Sequence, residues 1–132
     1  MRKVLQPEGW PRPKGYANGI AATGTLVFTA GVVGWTPDEV FNAEDLAGQC
    51  RQAFISTKTI LDEAGAKPEH IVRMTWYITD KKEYTENLKA IGQHWRDVFG
   101  KIFPCMTCVQ VTALVEDAAK IEIETTAVIP EK

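Results

Sequence analysis

Two segments near the C-terminal end carry the residue types best suited to chemistry: Phe103-Pro104-Cys105-Met106-Thr107-Cys108 and Lys120-Ile121-Glu122-Ile123-Glu124. A Cys-x-x-Cys pair suggests redox or zinc chemistry, because a thiol at a helix N-terminus is activated for exchange. Here the pair falls in a run that reads as a strand, where residues three apart face opposite sides and lie about 10 Å apart. A disulfide needs Cα atoms within roughly 7 Å. Zinc would need two further ligands, and Cys50, His70 and His94 are the remaining candidates of the usual type. No redox or metal role is expected, and no cofactor.

Glu122 is the acid of interest. Ile121, Ile123, Thr125, Ala127 and Ile129 alternate with Lys120, Glu122, Glu124, Thr126 and Val128. That period of two places both glutamates on one face of a strand. On a solvated face Glu122 is plain surface; in a cleft it could position or deprotonate a water for attack on a C=N carbon. Spacing leaves both readings open. His70 opens a strand and His94 flanks a helical stripe, neither with a Ser, Cys or Asp at nucleophile spacing. Glycines 15, 19, 24, 31 and 34 precede no Gly-Lys-Ser/Thr and read as strand-bounding turns. The four tryptophans lack accompanying basic residues, so they read as core or interface rather than a base-stacking platform.

The elements that must position these groups are legible in outline. Leu26–Val33 is β-branched and aromatic and reads as a strand. A helix follows with Asn42 as its N-cap, Glu44 and Asp45 near its positive end, and Gly65 and Pro68 as its stop. Its apolar face runs through Leu46, Cys50, Ala53, Phe54, Thr57, Ile60, Leu61 and Ala64. Ile71–Thr79 is a second strand. Tyr84, Leu88, Ile91, Trp95 and Phe99 predict one continuous helix ending at Gly100. Two strands, Cys105–Leu114 and Lys120–Ile129, finish the chain. Two helices cover one face of such a sheet, giving an α+β sandwich. The other face must be polar or buried by another subunit; Met106, Cys108, Leu114 and Val128 are candidates to face that way, which favours oligomer burial.

With 132 residues, the chain reads as one domain, 1–132, able to bury roughly two-thirds of its unfolded surface. Its 45% apolar and 24% charged content is that of an ordinary globular protein. A net charge of −2 with scattered basic residues gives no reason to expect nucleic acid. The Pro-rich start lacks a signal-peptide core and no run is long enough for a membrane helix. Three cysteines suit a reducing compartment. A cytoplasmic protein with no membrane partner is expected.

The Phe103–Val111 and Lys120–Glu124 segments resemble the RidA/YjgF family, also called the endoribonuclease L-PSP family. Gly15-Tyr16-Ala17-Asn18-Gly19 resembles its early Gly-Pro-Tyr-x-x-Gly, with Tyr16 on the pocket tyrosine. Phe28-Thr29-Ala30-Gly31 resembles its strand ending in Ser-Gly, with the hydroxyl lost at Ala30. Ile71–Thr75 resembles its central strand, and Asn87 falls on a family asparagine. The resemblance implies a chorismate-mutase-like fold, with a six-stranded mixed sheet covered on one face by two helices. It also implies a homotrimeric barrel with ligand clefts at the three subunit junctions. Tyr16, Ala30, Gly31, Asn87, Met106 and Cys108 would line the cleft, and Glu122, with a backbone carbonyl, would hold the attacking water.

The family's deaminases carry an arginine in a Pro-x-Arg-Ser/Thr segment that grips the carboxylate of a 2-imino acid. In this chain that position is Met106, and a thioether offers no donors for a carboxylate. Weak or no activity on 2-iminobutanoate and 2-iminopropanoate is therefore expected. Three functions follow: a hydrolase of enamine, imine or related substrates using Glu122, a non-catalytic small-molecule binder, and, least favoured by charge and by the lack of a catalytic His pair, an endoribonuclease.

Overall fold

The computed structural model describes residues 1–132. Its main sheet contains β3 (Thr25–Phe28), β4 (Val32–Val33), β5 (Ile71–Ile78), β6 (Cys105–Gln110) and β7 (Ile121–Ile129). The order is β3-β7-β5-β6, with β4 paired to β7 beyond the end of β3. β5 and β6 run parallel and the other pairs antiparallel, so the sheet is mixed. β1 (Arg2–Leu5) and β2 (Gly19–Ala22) form a separate antiparallel ribbon. Ala17 joins this region to β6 through a single bridge to Cys105 and an N–H donated to the Pro104 carbonyl, 3.0 Å.

The expected α+β architecture is present, with its strands divided five and two rather than six in one sheet. The predicted Leu26–Val33 strand is interrupted at Thr29–Gly31. Thr29 holds the break: its hydroxyl accepts from the Thr125 N–H at 3.1 Å and donates to the Ala30 carbonyl at 2.8 Å.

Helix α1 spans Leu46–Glu63, and its N-cap is Asp45, whose carboxylate accepts from the Gly48 N–H at 3.2 Å. The predicted cap, Asn42, lies outside the helix, as does Glu44. The acid that meets the exposed N-terminal donors comes instead from far along the chain. Glu83 accepts from the Leu46 N–H at 2.7 Å and from the Lys120 ammonium at 2.8 Å. A carboxylate there satisfies an otherwise orphaned donor and complements the helix dipole. Gly65 closes the helix at φ +77°, a conformation costly for any residue with a Cβ. Of the predicted apolar face, Ile60 and Ala64 prove exposed, while the remainder is buried together with Gln49.

The predicted second helix is two: α2 (Lys81–Glu86) and α3 (Leu88–Phe99). Asn87 breaks it, with φ −123° and ψ 19°, and its side-chain amide donates to the Glu83 carbonyl at 2.7 Å. Asn competes well with regular helix bonding through such local contacts. The core lies between the helices and one sheet face. Phe54 and Trp95 meet edge-on, and Met74, Trp76, Ile78, Ile121 and Ile123 back them from the strands. Buried Gln49 ties this core together: its amide donates to Ala43 and Ala118 carbonyls and accepts from the Lys120 N–H. The opposite sheet face carries Leu26 and Phe28, 59% and 67% exposed, beside Arg73, Tyr77 and Glu124. No helix is long and apolar enough to cross a membrane.

Candidate functional site

Strand register decides which side chains can meet. Met106 pairs with Met74 and Cys108 with Trp76, both residues of the helix-facing core. Met106 and Cys108 therefore face the helices, not the uncovered side that sequence alone suggested. Cys105 pairs with Arg73 and points the other way, so the two cysteines of the Cys-x-x-Cys segment lie on opposite faces. Glu122 pairs with Tyr77 and Val33, between Ile121 and Ile123, which are wholly buried on the helix side. It thus faces the uncovered side.

The predicted residues fall into two groups. Tyr16, Met106 and Cys108 line one cavity of about 840 Å³, walled by Trp76, Tyr84, Leu88, Ile91 and Trp95. The Trp76 indole nitrogen is buried there without a partner. Ala30, Gly31 and Glu122 line a second cavity of about 630 Å³, beside β4 and the exposed side of α1. Gly31 and Glu122 are in intimate contact: a Cβ on Gly31 would overlap the Glu122 carboxylate. Only glycine leaves that acid its place. Asn87 joins neither group; its amide is engaged in the α2–α3 junction, and it borders a shallow depression with Lys89 and Gln93.

Burial favours the protonated forms of the phenol and thiol groups that line the first cavity. Burial pushes the Tyr84 hydroxyl up to about 12, with the Cys108 thiol adding to the effect. Burial likewise pushes the Cys108 thiol up, partly offset by the neighbouring Tyr84 hydroxyl. Cys50, fully buried in α1 behind them, is pushed up further still by burial. Burial thus favours the protonated form of both thiols, which weakens them as nucleophiles. On the other face, Tyr77 donates to Glu124 at 2.8 Å, and that bond raises the Tyr77 pKa. His70 is a local cap, its Nδ1 accepting from the Lys67 N–H at 3.0 Å.

Sequence reasoning read Tyr84, Leu88 and Trp95 as core and missed their second role as cavity walls. One signal was available. Gly92 sits mid-helix, where glycine costs roughly 1 kcal/mol relative to alanine, and it lines the cavity.

A five-stranded mixed sheet backed by helices on one face, with the candidate residues divided between its two sides, defines an α+β protein. Residues 11–129 match the family described as Endoribonuclease L-PSP, and the chain belongs to that family, the RidA/YjgF proteins. It is 36% identical to a RutC family protein of Aquifex aeolicus over 129 residues, covering 97% of this chain and 99% of that one. It is 33% identical to the 2-iminobutanoate/2-iminopropanoate deaminase of Salmonella typhimurium, covering 97% and 98%. Among solved structures it resembles a Rid family protein of unknown function, YyfB from Yersinia pestis. The TM-score is 0.85 at 29% identity, over 97% of this chain and 98% of that one.

Proposed function

We propose that the chain forms a homotrimer whose subunit junctions bind a small metabolite, and that it hydrolyses an enamine, imine or related C–N substrate there. The observation that carries this reading is the seating of the Glu122 carboxylate against Gly31, on the sheet face opposite Met106 and Cys108. One chain cannot turn both faces toward one substrate. A neighbouring copy can supply its Glu122 to the Tyr16–Met106–Cys108 cavity. The similarity to an imine deaminase along nearly the whole chain supports the reaction class.

In this mechanism Glu122 takes a proton from water as the oxygen attacks the C=N carbon and the π electrons move to nitrogen. Glu122 returns the proton to that nitrogen, then takes the hydroxyl proton of the tetrahedral adduct and delivers it to the amine, so that the C–N bond breaks, ammonia leaves and a carbonyl forms. Met106 supplies no cationic anchor at the position where the family's deaminases hold a carboxylate with arginine. Preference accordingly moves away from the smallest 2-imino acids.

The test generates imines from a panel of amino acids with an amino-acid oxidase and follows ammonia release above the uncatalysed rate. Wild-type protein should accelerate hydrolysis of imines larger than 2-iminobutanoate and act weakly on 2-iminobutanoate itself. Glu122→Gln should fall to background, and Met106→Arg should gain activity on 2-iminobutanoate. Turnover that survives Glu122→Gln would sink the mechanism. Tight binding without turnover of any imine would leave a metabolite-binding protein in its place.

A further inference from the structure

The cavity beneath Tyr16 has a charge pattern hidden by the overall net charge of −2. Lys14, Arg96 and Lys101 line it, and no acidic side chain does. None of the three enters an ion pair. Arg96 donates to the Gln93 side chain at 3.2 Å, leaving most of its guanidinium donors free. All three cations are exposed, whereas Trp76 and Ile91 are buried and Tyr84, Trp95 and Met106 are half-buried. The cations therefore ring the mouth, and aromatic and aliphatic side chains form the floor. An adjoining hollow of about 620 Å³ shares Tyr16, Lys101 and Phe103 and adds Arg2 and Arg12 against one acid, Glu69.

We infer that the ligand of this cavity is an aromatic acid, with its ring on the Trp76–Tyr84–Met106 floor and its carboxylate at the mouth with Lys14, Arg96 and Lys101. The inference rests on the reading above for the identity of the site and names the class of molecule it takes. Three features argue for it. The cavity lies in the upper part of the roughly 300–1,000 Å³ range typical of ligand sites, generous for a three- or four-carbon acid. Its aromatic walls favour a flat apolar body through offset or edge-on ring contacts. Ammonium and guanidinium groups only donate, so what they hold must accept, and an anion does so best. A short acid cannot use both features. Anchored at the mouth it leaves the floor empty; placed on the floor its carboxylate meets the Met106 thioether.

Binding of stable acids tests this without any turnover. Isothermal titration calorimetry would compare indole-3-acetate, its neutral isostere indole-3-acetamide, and butanoate, on wild-type protein. Indole-3-acetate should bind about tenfold or more tightly than the amide, as a charge-assisted contact implies, and butanoate more weakly than either. The double variant Arg96→Gln/Lys101→Gln should remove the acid's advantage while leaving the amide's affinity unchanged. Added salt should do the same. Equal affinity for acid and amide would overturn the inference. So would a preference untouched by the double variant, butanoate binding as tightly as the indole acid, or displacement of bound indole-3-acetate by a short RNA. Acid binding without imine hydrolysis would sink the hydrolase reading alone, and hydrolysis without acid preference would sink this inference alone.

Discussion

Gly31 and Glu122 constrain each other more tightly than any other pair among the candidate residues. An alanine at position 31 would collide with the end of a flexible side chain rather than with backbone, so the glutamate would swing aside instead of the sheet yielding. Gly31→Ala should therefore cost stability little, under about 1 kcal/mol, since surface changes of this kind are mild. Turnover should fall by about tenfold or more, because catalysis depends on a carboxylate held within a fraction of an ångström of its productive position. Paired thermal melts and ammonia-release rates would show it. A variant with undiminished turnover would mean that the seat of the carboxylate is irrelevant.

Among the elements, the N-terminus of α1 depends on a residue 37 positions further along the chain. Glu83 is held by its own helix cap, since Asp80 accepts from the Glu83 N–H at 3.1 Å, and it binds both Leu46 N–H and Lys120. Three elements, α1, α2 and the start of β7, meet at that one half-buried carboxylate. Glu83→Ala leaves the Leu46 donor and the Lys120 ammonium without their partner. A loss of about 1–3 kcal/mol should follow in urea denaturation, given the cost of an unsatisfied buried donor. Lys120→Met should cost less, because the Leu46 bond to Glu83 survives it. The same elements explain where sequence reasoning stopped short. Asp45 and Asn42 are both good cap types, and their spacing from the apolar face does not choose between them. Asn87 sits within an unbroken helical stripe, and its break was visible only once its amide had found the Glu83 carbonyl.

For the whole molecule, two predictions concern assembly and protonation. The uncovered sheet face presents Leu26 and Phe28 to solvent in the single chain, an apolar patch suited to burial by further copies. Phe28→Glu should convert the proposed trimer to monomer in sedimentation and abolish turnover. A monomeric wild-type protein with full activity would refute the shared site. The second prediction concerns alkaline pH. Cys50 and Tyr84 have pKa values raised by burial above their ordinary values of 9.0 and 10.0. The folded state then holds protons that the unfolded state loses. Stability is complete below pH 9 and declines above it, by at most roughly 1.4 kcal/mol per pH unit for Cys50 in its window and by less for the half-exposed Tyr84, where solvent screens the effect. Urea midpoints at pH 8, 9, 10 and 11 should fall progressively. Cys50→Ala should reduce the decline between pH 9 and 10, leaving the contribution of Cys108 and the later one due to Tyr84. A flat wild-type profile to pH 11 would contradict the buried, protonated state of both groups.

The order of strands and helices, the alternation that sets Glu122 apart from its isoleucine neighbours, and the family itself were legible in the chain, because local periodicity and short motifs are written in consecutive residues. Three things were not: the side of the sheet that Met106 faces, the acid that caps α1, and the ring of cations around an aromatic pocket. Each depends on register or proximity between segments tens of residues apart. Shifting a strand by one residue exchanges its faces, and no spacing within one strand reports where its neighbour's side chains lie.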